Sequence, residues 1–305
     1  RLSEKLSNAA PAEQISPQEG HGFAAEAARN SMVLLKNQGD LLPLSPEDSI
    51  AVIGEMAAKP RYQGAGSSHV NPYCITSALE EMREICPNLV YAQGYSGEDS
   101  TDELLYEAVN AAKACHSVVL FIGLPATYES ETYDRSWMSI PETYCRLVEE
   151  LAKVNPRLVV VLSNGSVIEM PWIDRVPAVL EAYLGGEASG TAVSDIIFGR
   201  CNPCGKLAET FPMHLEDNPT YLYTAVGEDK SDRREYREGI FVGYRYYEKK
   251  HIKPLFPFGH GLSYTEFEYS DLTVSAESIN DTDELNISFK LRNTGKRERK
   301  ETVQV

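Results

Sequence analysis

The segment Ser117–Gly123, with the sequence SVVLFIG, decides the fold class of this chain. It is a continuous apolar run of strand length. Two other runs share this character, Ile50–Gly54 (IAVIG) and Leu158–Ser163 (LVVVLS). Unbroken apolar runs of this length are typical of strands that are buried on both faces, as in a parallel sheet covered by helices.

Segments with helical character separate these runs. Residues 102–115 and 141–154 are long enough for helices, Asp102 is placed to cap the first, and Pro141 stands in a first turn, where proline is tolerated. Strands that alternate with helices of ten or more residues imply βαβ units, so the sequence predicts an α/β domain with a mostly parallel sheet. The other predicted elements are helices at 21–30, 77–85 and 190–198 and strands at 89–92 and 178–183.

The character of the chain changes after about Phe211. Residues 211–265 contain many aromatic residues and glycines but few long periodic segments, which indicates a long irregular excursion. Beyond Phe267 three alternating segments follow at spacings of roughly ten residues, ending in ETVQV, and they predict the start of an incomplete all-β sandwich. The predicted organisation is a polar arm or linker at 1–20, the α/β domain with its excursion at 21–265, and the truncated β domain at 266–305.

Charge and cysteine content limit the class of partner and the compartment. The chain carries 45 acidic and 29 basic residues, a formal net charge of −16, which disfavours binding to nucleic acid or to an anionic membrane surface. No apolar run approaches the ~20 residues that span a bilayer. The six cysteines are spread through the predicted core, and no leader peptide precedes Arg1, so we expect a cytoplasmic location unless a leader has been removed.

Several common functional motifs are absent. The first strand is not followed by GxGxxG, and neither a P-loop nor the GxSxG nucleophile elbow occurs, which disfavours dinucleotide, nucleotide and α/β-hydrolase chemistry. The six histidines show no HExxH spacing, and the CxxC of Cys201 and Cys204 lacks a second pair of ligands. We therefore expect no metal and no cofactor, and a structural role for the CxxC turn.

Two loops at the predicted carboxyl ends of strands remain. Open α/β sheets bind ligands at this edge. One loop is QGAGSSH at 63–69, and the other is YESETYDR at 128–135, directly after SVVLFIG. Residue chemistry alone leaves two interpretations of the second loop, a catalytic site or a solvated connection. Its ionisable residues are Glu129, Glu131, Asp134 and Arg135.

These loops and their neighbours, taken in order, resemble the second domain of family 3 glycoside hydrolases of the β-glucosidase type. The resemblance covers about residues 21–305. The motifs that carry it are AARNSMVLLKN at 27–37, LLPL at 41–44, GAGSS at 64–68, ETYDRSWMSIP at 131–141, NGSVIEMPW at 164–172, GGEASGTAVSDIIFGRCNPCGKLAETFP at 185–212, YREGIFVGYRYYE at 236–248 and FPFGHGLSYTEF at 256–267.

The resemblance implies an architecture and a site. It implies a six-stranded, mostly parallel α/β sandwich followed by a fibronectin type III-like domain, with the active site shared with a (β/α)8 barrel of the same polypeptide. In the family the barrel carries the nucleophilic Asp and the sandwich carries the acid/base Glu. Glu131 matches that Glu, with Glu129 as the alternative, and Ser67 matches the Ser that reaches the sugar.

The implied reaction is the release of terminal non-reducing β-D-glucosyl residues with retention. Glucosides or oligosaccharides would be the substrates, and this chain would be incomplete without the barrel, which we expect downstream in a permuted order. Alternatives are a β-xylosidase or another exo-glycosidase of the family, and, from a different class, a non-catalytic carbohydrate-binding or structural module. A homo-oligomer is left open.

The implied mechanism places demands on the loop at 128–137. An acid/base carboxyl needs a pKa raised toward neutrality, so Arg135 is expected to pair with Asp134 or elsewhere rather than with Glu131. Tyr133 and Trp137 could stack on sugar rings, but anchoring the loop is the favoured role.

Overall fold

A computed structural model describes residues 15–67, 69–133, 135–221 and 236–304. Its centre is a six-stranded sheet in the order β1-β6-β5-β4-β2-β3, in which β1 is antiparallel to β6 and the other pairings are parallel. The predicted α/β class is therefore confirmed. The strands are β1 (Val33–Asn37), β2 (Ile50–Ile53), β3 (Leu89–Ala92), β4 (Ser117–Gly123), β5 (Leu158–Ser163) and β6 (Ala178–Glu181).

Helices cover both faces of this sheet and produce two apolar clusters, one on each side. Every residue of β4 is buried, as expected for a strand covered on both faces. The helices are α1 (Pro17–Ser31), α2 (Glu55–Ala58), α3 (Ala78–Ile85), α4 (Asp102–Ala114), α5 (Glu142–Val154), α6 (Ser189–Ile197) and α7 (Tyr244–Lys250). One cluster includes residues of α4 and α5, and the other includes residues of α1, α3 and α6.

Two helices begin at caps that differ from the predictions. Helix α1 begins at Pro17 rather than at residue 21, because Ser16 forms a capping box with Glu19. The last residues of the predicted arm are thus the first helical turn, whereas residues 1–14 lie outside the described residues and the arm there stays a prediction. Helix α4 is capped by Thr101, whose hydroxyl accepts from the Leu104 N–H at 3.3 Å, and not by Asp102.

The irregular excursion is attached to the sheet through its backbone. The Phe211 and Phe256 backbones pair, and the Leu262 N–H donates to the Leu34 carbonyl of edge strand β1 at 2.8 Å. The His260 ring contacts the Leu35 carbonyl at 2.8 Å. Although this segment has little regular structure, these bonds hold its described part against β1. Residues 222–235, within the predicted excursion, lie outside the described residues.

A two-stranded antiparallel sheet follows, made of β7 (Phe267–Val274) and β8 (Ile287–Asn293). The third strand predicted at ETVQV is wrong for residues 301–304, which adopt no strand; Val305 lies outside the described residues. Side chains anchor this segment instead of a backbone ladder. The Glu301 carboxylate lies 3.2 Å from Lys206 Nζ and 3.4 Å from Arg299 Nη1.

Candidate active site

Loops from four neighbouring strands meet at the carboxyl edge of the parallel sheet. They enclose a pocket of about 340 Å³, and the loop after β4 contributes the most residues to its wall. The strand order places the ends of β2, β4, β5 and β6 side by side, which is why loops far apart in sequence converge. The pocket-lining residues are Arg61, Gly64, Ala65, Tyr128, Glu129, Ser130, Glu131, Tyr133, Arg135, Gly165, Ser166 and Leu184.

The two loops singled out from the sequence are directly paired. Ala65 and Ser130 form a parallel bridge, and the Ala65 carbonyl accepts from the Glu131 N–H at 3.4 Å. Gly66 permits this approach: its φ is +94°, and a Cβ there would lie 2.7 Å from the Glu131 Cβ. The pairing therefore requires a residue without a side chain at position 66.

Glu131 lies exposed at the rim of this pocket. Its Oε2 accepts from the Ser67 N–H at 2.7 Å. Hydrogen bonds from the Ser67 side chain and backbone hold the pKa of Glu131 below its ordinary value. The raised pKa expected of an acid/base carboxyl is thus not found in this chain, because the carboxylate is in water and already accepts hydrogen bonds.

Glu129, the alternative acid/base residue, has a different environment. Its carboxylate is 15% exposed and contacts Arg61 Nη1 at 2.6 Å. It also accepts from the Gly165 N–H at 2.9 Å and from the Ser166 hydroxyl. Burial alone would raise the pKa of Glu129, but the hydrogen bonds from Ser166, Gly165 and Arg61 outweigh burial, so the pKa lies below its ordinary value.

Arg135 is half-buried and donates to the Val167 carbonyl, so it fastens the end of the loop to the segment after β5. Its proposed partner Asp134 lies outside the described residues. Tyr133 and Trp137 are 47% and 42% exposed, and the Trp137 ring meets the Tyr128 ring edge-on at 6.0 Å. Trp137 thus has an anchoring contact, and both side chains are exposed.

Three contributors were missed from the sequence: Arg61, the Gly165–Ser166 pair and Glu181. Arg61 and the pair follow β2 and β5, so the rule that ligands bind at carboxyl ends of strands could have selected them. Glu181 ends β6 with no exposed surface, inside an apolar run with the sequence AVLE, and nothing in its local sequence marks it.

Two further observations concern the described part of the chain. No helix there is both long and apolar enough to cross a bilayer. No group of three or more His, Cys, Asp or Glu side chains within it could hold a metal ion.

The fold and the pocket define the class as an open α/β domain with a polar, carboxylate-bearing site at the carboxyl edge of its sheet. The family model described as "Glycosyl hydrolase family 3 C-terminal domain" matches residues 32–244. The chain therefore belongs to glycoside hydrolase family 3, as its motifs predicted.

Relatives and solved structures agree with this assignment. The chain is 52% identical over 309 residues to thermostable beta-glucosidase B of Acetivibrio thermocellus, covering 100% of this chain and 40% of that protein. It is 40% identical over 294 residues to an exo-alpha-(1->6)-L-arabinopyranosidase of Bifidobacterium longum, covering 92% of this chain and 38% of that protein. The Bifidobacterium adolescentis GH3 beta-glucosidase structure superposes with a TM-score of 0.86 at 38% identity, covering 94% of this chain and 42% of that one. The chain thus spans about 40% of these proteins.

Proposed function

We propose that this chain supplies the acid/base half of a retaining β-glucosidase active site, with Glu131 as the acid/base residue. The nucleophilic Asp would come from a (β/α)8 barrel of the same polypeptide. The similarity to beta-glucosidases at 52% and 38% identity supports the substrate class. The observation that carries the residue assignment is the contrast between an exposed Glu131 and a half-buried, ion-paired Glu129.

An acid/base residue must gain and lose a proton at an accessible position. Glu129 has an arginine and two hydrogen-bond donors on its carboxylate, so protonation would break contacts that hold the pocket together. Among the described residues, Ser67 is the only hydrogen-bond partner of the Glu131 carboxylate, which lies exposed at the pocket. Ser67, proposed to bind the sugar, would thus also orient the acid/base carboxylate.

In a retaining mechanism Glu131 would protonate the leaving oxygen and then take a proton from water, with the two carboxyl groups about 5–5.5 Å apart. Because its pKa is lowered in this chain, the active form needs an influence from outside the described residues. Exclusion of water by substrate and the negative charge of the nucleophile would both raise this pKa.

The test compares leaving groups in the intact protein. Glu131→Ala should lower kcat/KM for cellobiose, a poor leaving group, at least 100-fold more than for a dinitrophenyl β-glucoside, whose phenolate leaves without protonation. Glu129→Gln is the matched comparison and should lower both values to a similar extent, since it loosens the pocket. Equal losses of kcat/KM on both substrates in Glu131→Ala would contradict the assignment. If only Glu129→Gln showed a dependence on the leaving group, Glu129 would be the acid/base residue.

A second candidate is an exo-α-(1→6)-L-arabinopyranosidase, favoured by the 40% identity to the Bifidobacterium longum protein. Other family 3 exo-glycosidase activities, including that of a β-xylosidase, belong to the same alternative. Measuring kcat/KM on the nitrophenyl β-D-glucoside, β-D-xyloside and α-L-arabinopyranoside decides among them. No turnover of any of these by the intact protein would favour the non-catalytic module.

A further inference from the structure

Glu181 is a buried carboxyl group beneath the pocket that the proposed mechanism does not use. It ends strand β6 and has no exposed surface. Its Oε1 accepts from the Tyr183 N–H at 3.0 Å, and its Oε2 accepts from Asn164 Nδ2 at 3.0 Å. No lysine or arginine forms an ion pair with it among the described residues. Burying a charged carboxylate without a cation costs folding free energy. Such a group is therefore expected to be protonated or to be kept for a function.

A chain of hydrogen bonds leads from Glu181 to the pocket. Asn164 Nδ2 also donates to the Ser166 carbonyl at 2.9 Å, which folds residues 164–166 into a tight loop. This loop holds Glu129, through the Gly165 N–H at 2.9 Å and the Ser166 hydroxyl. Glu129 lies two residues before Glu131, in the segment bridged to Ala65. The Glu181–Asn164 and Glu129 contacts join the ends of different strands, and the Asn164–Ser166 contact lies within the turn after β5.

We propose that Glu181 is a positioning residue for the acid/base loop, acting through Asn164 and the 164–166 turn on Glu129 and so on the placement of Glu131. The inference rests on the proposed function of Glu131. It adds to that function a buried residue at the end of β6, which would position the carboxyl that protonates the leaving oxygen.

The charges around Glu181 add a pH dependence to this role. Among the described residues, the titratable groups that act on it are Glu129, Glu209 and Tyr183, and none of these is a cation. Burial, helped by the two glutamates, raises the pKa of Glu181 to about 8. Below this pH the carboxyl is neutral. Above it an unpaired negative charge forms under the 164–166 turn and repels Glu129, so the loop loses its position.

Two substitutions in the intact protein separate positioning from general stability. Glu181→Ala removes the acceptor for Asn164 and should lower kcat/KM for cellobiose at least tenfold more than for a dinitrophenyl β-glucoside. Glu181→Gln keeps a neutral group of the same shape. Its oxygen can accept from Asn164 Nδ2, which keeps the link to the 164–166 turn, while the Tyr183 N–H loses its acceptor.

Glu181→Gln should therefore retain kcat/KM within about threefold at pH 6 and lack the activity decline around pH 8 that we expect of the wild type. Glu209→Gln is the matched control, since it removes a neighbouring carboxylate that has no hydrogen bond to the 164–166 turn among the described residues. It should keep an alkaline decline, shifted to lower pH, because the Glu209 charge helps to raise the pKa of Glu181. An equal loss on both substrates in Glu181→Ala, or an unchanged alkaline decline in Glu181→Gln, would overturn the proposal. The second outcome applies even if the alanine variant does not fold.

A parallel measurement keeps the two proposals distinguishable. Amide hydrogen exchange at residues 129–131 does not depend on activity. It should be faster in Glu181→Ala than in the wild type, and unchanged exchange would overturn the positioning role. If Glu131→Ala shows no leaving-group dependence while this exchange still accelerates, the proposed function fails and the structural link from Glu181 to the loop stands.

Discussion

At the scale of single residues, Glu129 and Glu131 show how neighbouring carboxylates acquire different chemistry. They are two positions apart in one loop, yet one carries an arginine and two donors while the other is exposed. Both have a lowered pKa, but for different reasons. In Glu129 burial raises the pKa, and the hydrogen bonds and the ion pair with Arg61 outweigh it; in Glu131 the Ser67 hydrogen bonds lower the pKa. The environment, not the residue type, distinguishes the roles that we propose for them.

Glu181 gives a residue-scale prediction for stability. The pKa of Glu181 in the folded state is about 8, above its ordinary value of 4.5. Between these two pH values Glu181 therefore carries a proton in the folded state but not in the unfolded state. The stabilising contribution of the neutral form is complete below this window and is lost as the pH rises through it. The free energy of unfolding of the wild type should thus fall relative to that of Glu181→Gln by up to about 1.4 kcal/mol per pH unit.

Urea unfolding of both proteins at several pH values between 4.5 and 8 measures this difference. Glu150→Gln serves as a control. Lys153 lowers the pKa of the Glu150 carboxyl below 4.5, so Glu150 changes the pH dependence of the free energy of unfolding only below this pH range. A constant difference between wild type and Glu181→Gln across the window would show that Glu181 is charged throughout.

At the scale of elements, the site depends on the contact between the loops after β2 and β4. Gly66→Ala tests this contact. The substitution should lower kcat/KM of the intact protein at least tenfold, because the added Cβ would meet the Glu131 side chain, and should cost about 1–2 kcal/mol of stability, because φ is +94°.

Gly22→Ala is the matched control for this prediction. Gly22 lies inside helix α1, and apart from its chain neighbours and the backbone of its own helix no atom lies within 4 Å of an added Cβ. The same substitution there should stabilise the protein by about 0.5–1 kcal/mol and leave activity unchanged. Wild-type activity in Gly66→Ala would mean that the two loops are not paired in the working enzyme.

At the scale of the whole molecule, the sheet and its two apolar clusters form a folded α/β domain, and the pocket is open on one side. The chain spans about 40% of the length of its relatives. We predict that the 305-residue chain alone unfolds cooperatively but hydrolyses neither cellobiose nor a dinitrophenyl β-glucoside, since no nucleophile was matched within it. Turnover of the aryl glucoside by the isolated chain at the rate of the intact protein would contradict the divided active site.

The sequence by itself determined the α/β class, the position of the buried strands and the loops at their carboxyl ends. Strands such as Ser117–Gly123 were predictable because burial on both faces leaves an unbroken apolar run. The order of the strands and the partners of each carboxylate came only from the tertiary structure. Arg61, Ser166 and Glu181 are distant in sequence, and their contacts depend on which strands lie side by side. A local pattern records the burial of a residue but not its neighbours across the sheet, so the different surroundings of Glu129 and Glu131 became visible only in three dimensions.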